Sequence, residues 1–88
     1  MTHADVVKYE YNFWVQRFQF DMCSLRENST PAPQNIRLLV SKKHQEEVAS
    51  ELHRIAHFAY AGGEGELASK IDRAALELTD DGVPPMPI

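Results

Sequence analysis

The chain has one cysteine, one tryptophan and four glycines among its 88 residues. With Cys23 alone no intrachain disulfide can form, and a small fold without staples points to a reducing compartment or to burial supplied by a second copy. No stretch approaches the roughly eighteen consecutive apolar residues of a membrane span, so no membrane association is expected. The opening MTHADVVKYEYN has neither the basic region nor the unbroken apolar run of a secretory leader. The expected location is therefore cytoplasmic. Cations are outnumbered: nine Lys and Arg stand against thirteen Asp and Glu, giving a net charge of −4 and a pI near 5.4. A protein that grips nucleic acid needs clustered cations to displace counterions, and here only Lys42 and Lys43 are adjacent, which reads as a solvated helix start.

What the chain does have is aromatic residues in one place. Six of its eight Phe, Trp and Tyr lie between Val6 and Leu25, in VVKYEYNFWVQRFQFDMCSL. Large aromatics stabilise small cores and partner interfaces alike. As a strand, Val7, Tyr9, Tyr11, Phe13 and Val15 alternate with polar residues, and a bulge at Gln16 and Arg17 would carry Phe18, Phe20 and Met22 onto the same face. As a helix, Val7, Tyr11, Trp14, Val15, Phe18, Met22 and Leu25 share one arc of about 100°, with Tyr9, Phe13 and Phe20 forming a second stripe. Propensity favours the strand, because Tyr, Phe, Trp, Val, Asn and Asp are mediocre helix formers.

The remaining 63 residues are simpler. ENSTPAPQ is a proline-containing loop over 27–34. Ile36, Leu38, Leu39 and Val40 then read as a short strand, and Ser41 as the cap of a following helix. From Lys42 to Ala61, Val48, Ala49, Leu52, Ile55, Ala56 and Ala59 fall on one arc of about 120°, a helix that Gly62 and Gly63 stop. A second helix runs from about Gly65 to Thr79, with Leu67, Ile71, Ala74, Ala75 and Leu78 on one face and Gly82 at its end. GVPPMPI reads as a frayed tail over 82–88.

These elements predict a single domain over 1–88, ordered from about residue 6 to about residue 80, with an α+β fold: an antiparallel sheet of two or three strands packed on a helical hairpin. The alternative is an all-α three-helix bundle.

Little in the chain suggests chemistry. His53 and His57 are four apart, but a third ligand is missing and HRIAH lacks the glutamate of a zincin motif, so no metal and no cofactor are expected. His44 reads as a solvent-facing residue near the helix start. Cys23 reads as a small buried hydrophobe, the acid pairs Glu46–Glu47 and Asp80–Asp81 as solvated charge, and AGGEGE as helix punctuation. No catalytic residue is assigned, and the chain is not expected to be an enzyme.

The functional expectation is a protein-interaction module: a small regulator, inhibitor or adaptor of a macromolecular partner, one form being a phage- or mobile-element-encoded inhibitor of a host complex. It would bind through Tyr9, Tyr11, Phe13, Trp14, Gln16 and Arg17 and form a homo-oligomer, because an unpaired aromatic strand edge is a template for a second copy. Trp14 is the anchor in the strand reading and a core residue in the helix reading. The alternative function is sequestration of a small ligand in a pocket between sheet and helices lined by Tyr9, Tyr11 and Phe13.

Overall fold

The computed structural model describes the backbone of residues 1–27 and 34–88, and the side chains of 1–22 and 42–88. It contains three helices, α1 (His3–Glu27), α2 (Gln34–Ala61) and α3 (Gly65–Asp81), and among the described residues there is no strand. The α+β expectation is therefore wrong, and the three-helix alternative matches. Two elements account for the error. The aromatic segment is one continuous helix of 25 residues, and the Ile36–Val40 run is helical backbone inside α2, with Ser41 inside the helix instead of capping it. A helix satisfies its own backbone hydrogen bonds, whereas either strand needed the other as partner; once the Ile36 run is helical, nothing remains for an aromatic strand to pair with. Packing of the inner stripe outweighs the weak helix propensity of its residues. Of the loop expected over 27–34, Glu27 and Gln34 are helical, and residues 28–33 lie outside the described residues, as does the side chain of Cys23.

Each helix end that matters has a local cause. At the start of α1, Thr2 N–H donates to Asp5 Oδ2 and Asp5 N–H donates to Thr2 Oγ1, both at 3.2 Å, a reciprocal capping box. The bond from the Thr2 backbone is the main reason the Asp5 carboxyl lies below its ordinary value. α2 ends at Gly63, whose φ of 82° lets Glu64 N–H return to the Ala59 carbonyl at 2.9 Å and Gly63 N–H to Tyr60 at 3.1 Å. α3 ends at Gly82, φ 67°, with Val83 N–H on the Glu77 carbonyl at 3.1 Å.

The three-residue link at 62–64 folds α3 back along α2. α2 presents the apolar arc expected of it, Val48, Ala49, Leu52, Ile55, Ala56 and Ala59, and α3 meets it with Leu67, Ile71, Ala75 and Leu78 of its expected face; Ala68 is buried as well, and Ala74 only partly. α1 closes this hairpin with Val7, Tyr11, Val15 and Phe18. Antiparallel packing of α1 on α2 is marked at both ends. Near the start of α1, the His3 ring lies 4.5 Å from that of Phe58, and its Nε2–H donates to the Phe58 carbonyl at 3.0 Å. That bond occupies a carbonyl in the last turn of α2, and the close approach requires Gly62, where a Cβ would overlap the imidazole. Near the far end of α1, His44 stacks on Phe18 at 5.7 Å with Nε2 buried and 3.1 Å from Asp21 Oδ2, too poorly aligned for a hydrogen bond. His44 is thus part of the α1–α2 seam and not the solvent-facing residue expected.

Candidate interaction surface

Because a helix turns about 100° per residue, the two aromatic stripes of α1 face opposite ways. Tyr11 is 2% and Phe18 3% exposed, whereas Tyr9 is 70% and Phe20 71% exposed, and Phe13 stands beside them at 49%. Gln16 and Arg17 share this outer side, and Val6 is partly exposed at its start. Of the six residues expected to bind a partner, four (Tyr9, Phe13, Gln16 and Arg17) therefore lie on the outer side. Tyr11 does not join them; it is core.

Trp14 occupies the border. It is half-buried and packed against the core, meets Phe13 edge-on at 5.7 Å, and carries the Arg17 guanidinium 5.5 Å from its ring centre. It also lines an open groove of about 550 Å³ between α1 and α2, whose other walls include Arg17, Lys43, Glu47, Val48 and Glu51. The ligand pocket expected between sheet and helices at Tyr9, Tyr11 and Phe13 does not form, since there is no sheet among the described residues and Tyr11 is buried while Tyr9 and Phe13 are exposed.

The opposite flank of α1 is taken by the C-terminal segment. Tyr11 O–H donates to the Met86 carbonyl at 2.8 Å. Asn12 uses both ends of its amide on Ile88, Nδ2–H donating to the carbonyl at 2.9 Å and Oδ1 accepting the backbone N–H at 2.8 Å. Pro85 is buried, while Met86 and Ile88 keep 73% and 43% of their surface exposed. The segment read as frayed is thus strapped along α1. Asn12 neighbours Tyr9 and Gln16 on the helix surface, so Ile88 borders the outer stripe. Burial, and then the Glu77 carboxylate, push the Tyr11 hydroxyl above its ordinary value, which extends into alkali the range over which it donates to Met86.

Elsewhere one polar pair joins two helices, while Arg54–Glu51 and Arg73–Glu77 are ion pairs within α2 and α3. His53 Nδ1–H donates to Asp72 Oδ1 at 2.9 Å, joining α2 to α3, and His57 beside it is exposed. Among the described residues no three His, Cys, Asp or Glu side chains converge as a metal site, and no helix is long and apolar enough to cross a membrane.

Sequence reasoning missed three features here. The Thr2–Asp5 box had a readable signal in its Thr-x-x-Asp spacing. His3 and the Asn12 clamp had none, because their partners lie 55 and 76 residues away.

No family model, curated protein or solved structure matches this chain.

Proposed function

We propose that this chain is a non-enzymatic protein-interaction module, a small cytoplasmic regulator, inhibitor or adaptor that engages a macromolecular partner through the outer face of α1. One observation carries the reading: a helix that already supplies Val7, Tyr11, Val15 and Phe18 to the core displays a second aromatic stripe, Tyr9, Phe13 and Phe20, to solvent. A small soluble domain gains nothing in its own stability from such a stripe, and grouped exposed aromatics with an adjacent arginine are the composition of binding surfaces.

The test is site-specific photo-crosslinking in the producing cell, with the probe at Phe20 and, as control, at exposed Lys70. A discrete protein adduct at position 20 and none at 70 supports the reading. No adduct at either position, or a bound small molecule recovered instead, overturns it.

A further inference from the structure

The outer face of α1 follows a particular spacing. Val6, Tyr9, Phe13, Gln16 and Phe20 are separated by three, four, three and four residues, the pattern of a coiled-coil seam. The seam is about 21 Å long at 1.5 Å per residue. Glu10 and Arg17 flank it on one side, Asp5, Asn12 and Gln19 on the other.

We propose that this seam docks the same seam of a second copy of the chain, with the two α1 helices antiparallel; the proposal rests on the interaction-module reading and names its partner. Charge selects the arrangement. In a parallel pair, Asp5 of one helix would face Glu10 of the other, a repulsion that occurs twice. In an antiparallel pair the residues of the Glu10 and Arg17 flank meet each other. Sliding the helices so that Tyr9 meets Phe13 would set Glu10 against Glu10, and sliding them so that Gln16 meets Phe20 would set Arg17 against Arg17. The intermediate register places Tyr9 on Phe20 and Phe13 on Gln16, each twice, and brings Glu10 to Arg17 on both sides. Gln16 then lies within the seam, where a lone polar residue penalises slipped registers. The Arg17 guanidinium is positioned for this role, held over Trp14 at the edge of the outer face.

A seam of this length lies at the small end of stable interfaces, so the dimer should form with a dissociation constant on the order of 10 µM. Sedimentation equilibrium from about 1 µM to about 500 µM brackets that value. The wild type should pass from 10.0 kDa toward twice that mass. Phe20→Lys, at an exposed position, should remain monomeric throughout with an unchanged helical circular dichroism spectrum. Glu10→Lys and Arg17→Glu should each weaken association at least about fivefold, and the double variant Glu10→Lys/Arg17→Glu should recover most of the loss, because it restores both cross-pairs with reversed sign. A helical wild type that stays at 10.0 kDa overturns the pairing and leaves the interaction-module reading to its own crosslinking test. Glu10→Lys that strengthens association, as relief of the Asp5 repulsion in a parallel pair would, overturns the orientation. Failure of the double variant to recover overturns the register.

Discussion

α3 and α1 bury comparable apolar stripes, yet they differ in what lies on the other side. α3 is amphipathic in the simple sense: Leu67, Ile71, Ala75 and Leu78 face the core, and Asp72, Arg73, Asp80 and Asp81 face water. α1 buries Val7, Tyr11, Val15 and Phe18 and then repeats the aromatic character outward with Tyr9, Phe13 and Phe20. Burial fixes one side of each helix. Of the two helices α1 carries the larger apolar surplus on its other side, three exposed aromatics against the half-exposed Leu76 of α3, and that excess is the basis for reading α1 as the interaction element.

The comparison breaks if α3 fails to behave as a one-stripe helix. Ile71→Ala should lower stability by about 2–5 kcal/mol, as truncation of a fully buried branched side chain does, while Leu76→Ala, about half exposed, should cost no more than about 0.5 kcal/mol. Urea denaturation followed by circular dichroism measures both. Similar losses at the two positions would mean that α3 has a second buried side.

On α1 the border residue should behave as a border. Trp14→Ala should cost about 1–3 kcal/mol, less than a core aromatic and more than an outer one, because the ring is half-buried and contacts Phe13 and Arg17. Indole fluorescence cannot follow this variant, so helix content against denaturant is the readout.

Smaller effects sharpen the account of α1's flanks. Gly62→Ala should expel the His3 ring and lose its bond to the Phe58 carbonyl, costing about 1 kcal/mol. The double variant His3→Ala/Gly62→Ala should lose no more than His3→Ala alone, since the overlap is then gone. Asn12→Ala removes two bonds to Ile88 and Tyr11→Phe one bond to Met86, and each should speed amide exchange at Ile88 with little change in global stability.

Two titrations follow from the local environments. The fold holds Tyr11 in its neutral form with a raised pKa, so its contribution is fully present below the unfolded tyrosine value near 10 and is lost as pH rises above that value. Ultraviolet titration should show one phenol ionising above the ordinary range, and Tyr11→Phe should remove that phase. Asp5, with its pKa lowered, contributes above the unfolded carboxylate value of about 3.9 and stops contributing as pH falls through its folded value. The first turn of α1 should therefore fray in acid, and Asp5→Asn should blunt the dependence seen by amide exchange of that turn.

How much of this was legible depended on whether a segment had one reading or two. In α2 and α3 the apolar residues recur at helical spacing with polar residues between them, and Gly62, Gly63 and Gly82 mark the ends; every residue of the expected α2 arc is buried. In α1, apolar residues on two opposite helical faces also satisfy long stretches of strand alternation, so periodicity loses its power to discriminate. The short Ile36–Val40 run suffers the same ambiguity for lack of length. Once both were read as strands, each seemed to justify the other. The outer stripe itself was visible in the sequence, since Tyr9, Phe13 and Phe20 separate from the inner residues as soon as the segment is drawn as a helix. The strap over 83–88 was not, because its proline-rich composition suggests freedom and what holds it, the burial of Pro85 and the bonds from Tyr11 and Asn12, is long-range.

Phe18 and Phe20 offer the most direct test of the two-faced helix. In a strand they share a face, and in α1 they point to opposite sides, one 3% and the other 71% exposed. Phe18→Ala should cost about 3–5 kcal/mol in equilibrium urea unfolding, whereas Phe20→Ala should cost less than about 0.5 kcal/mol when both are measured at a protein concentration below dimer formation. Equal losses at the two positions would contradict the account, because no single helix facing one core can bury both rings.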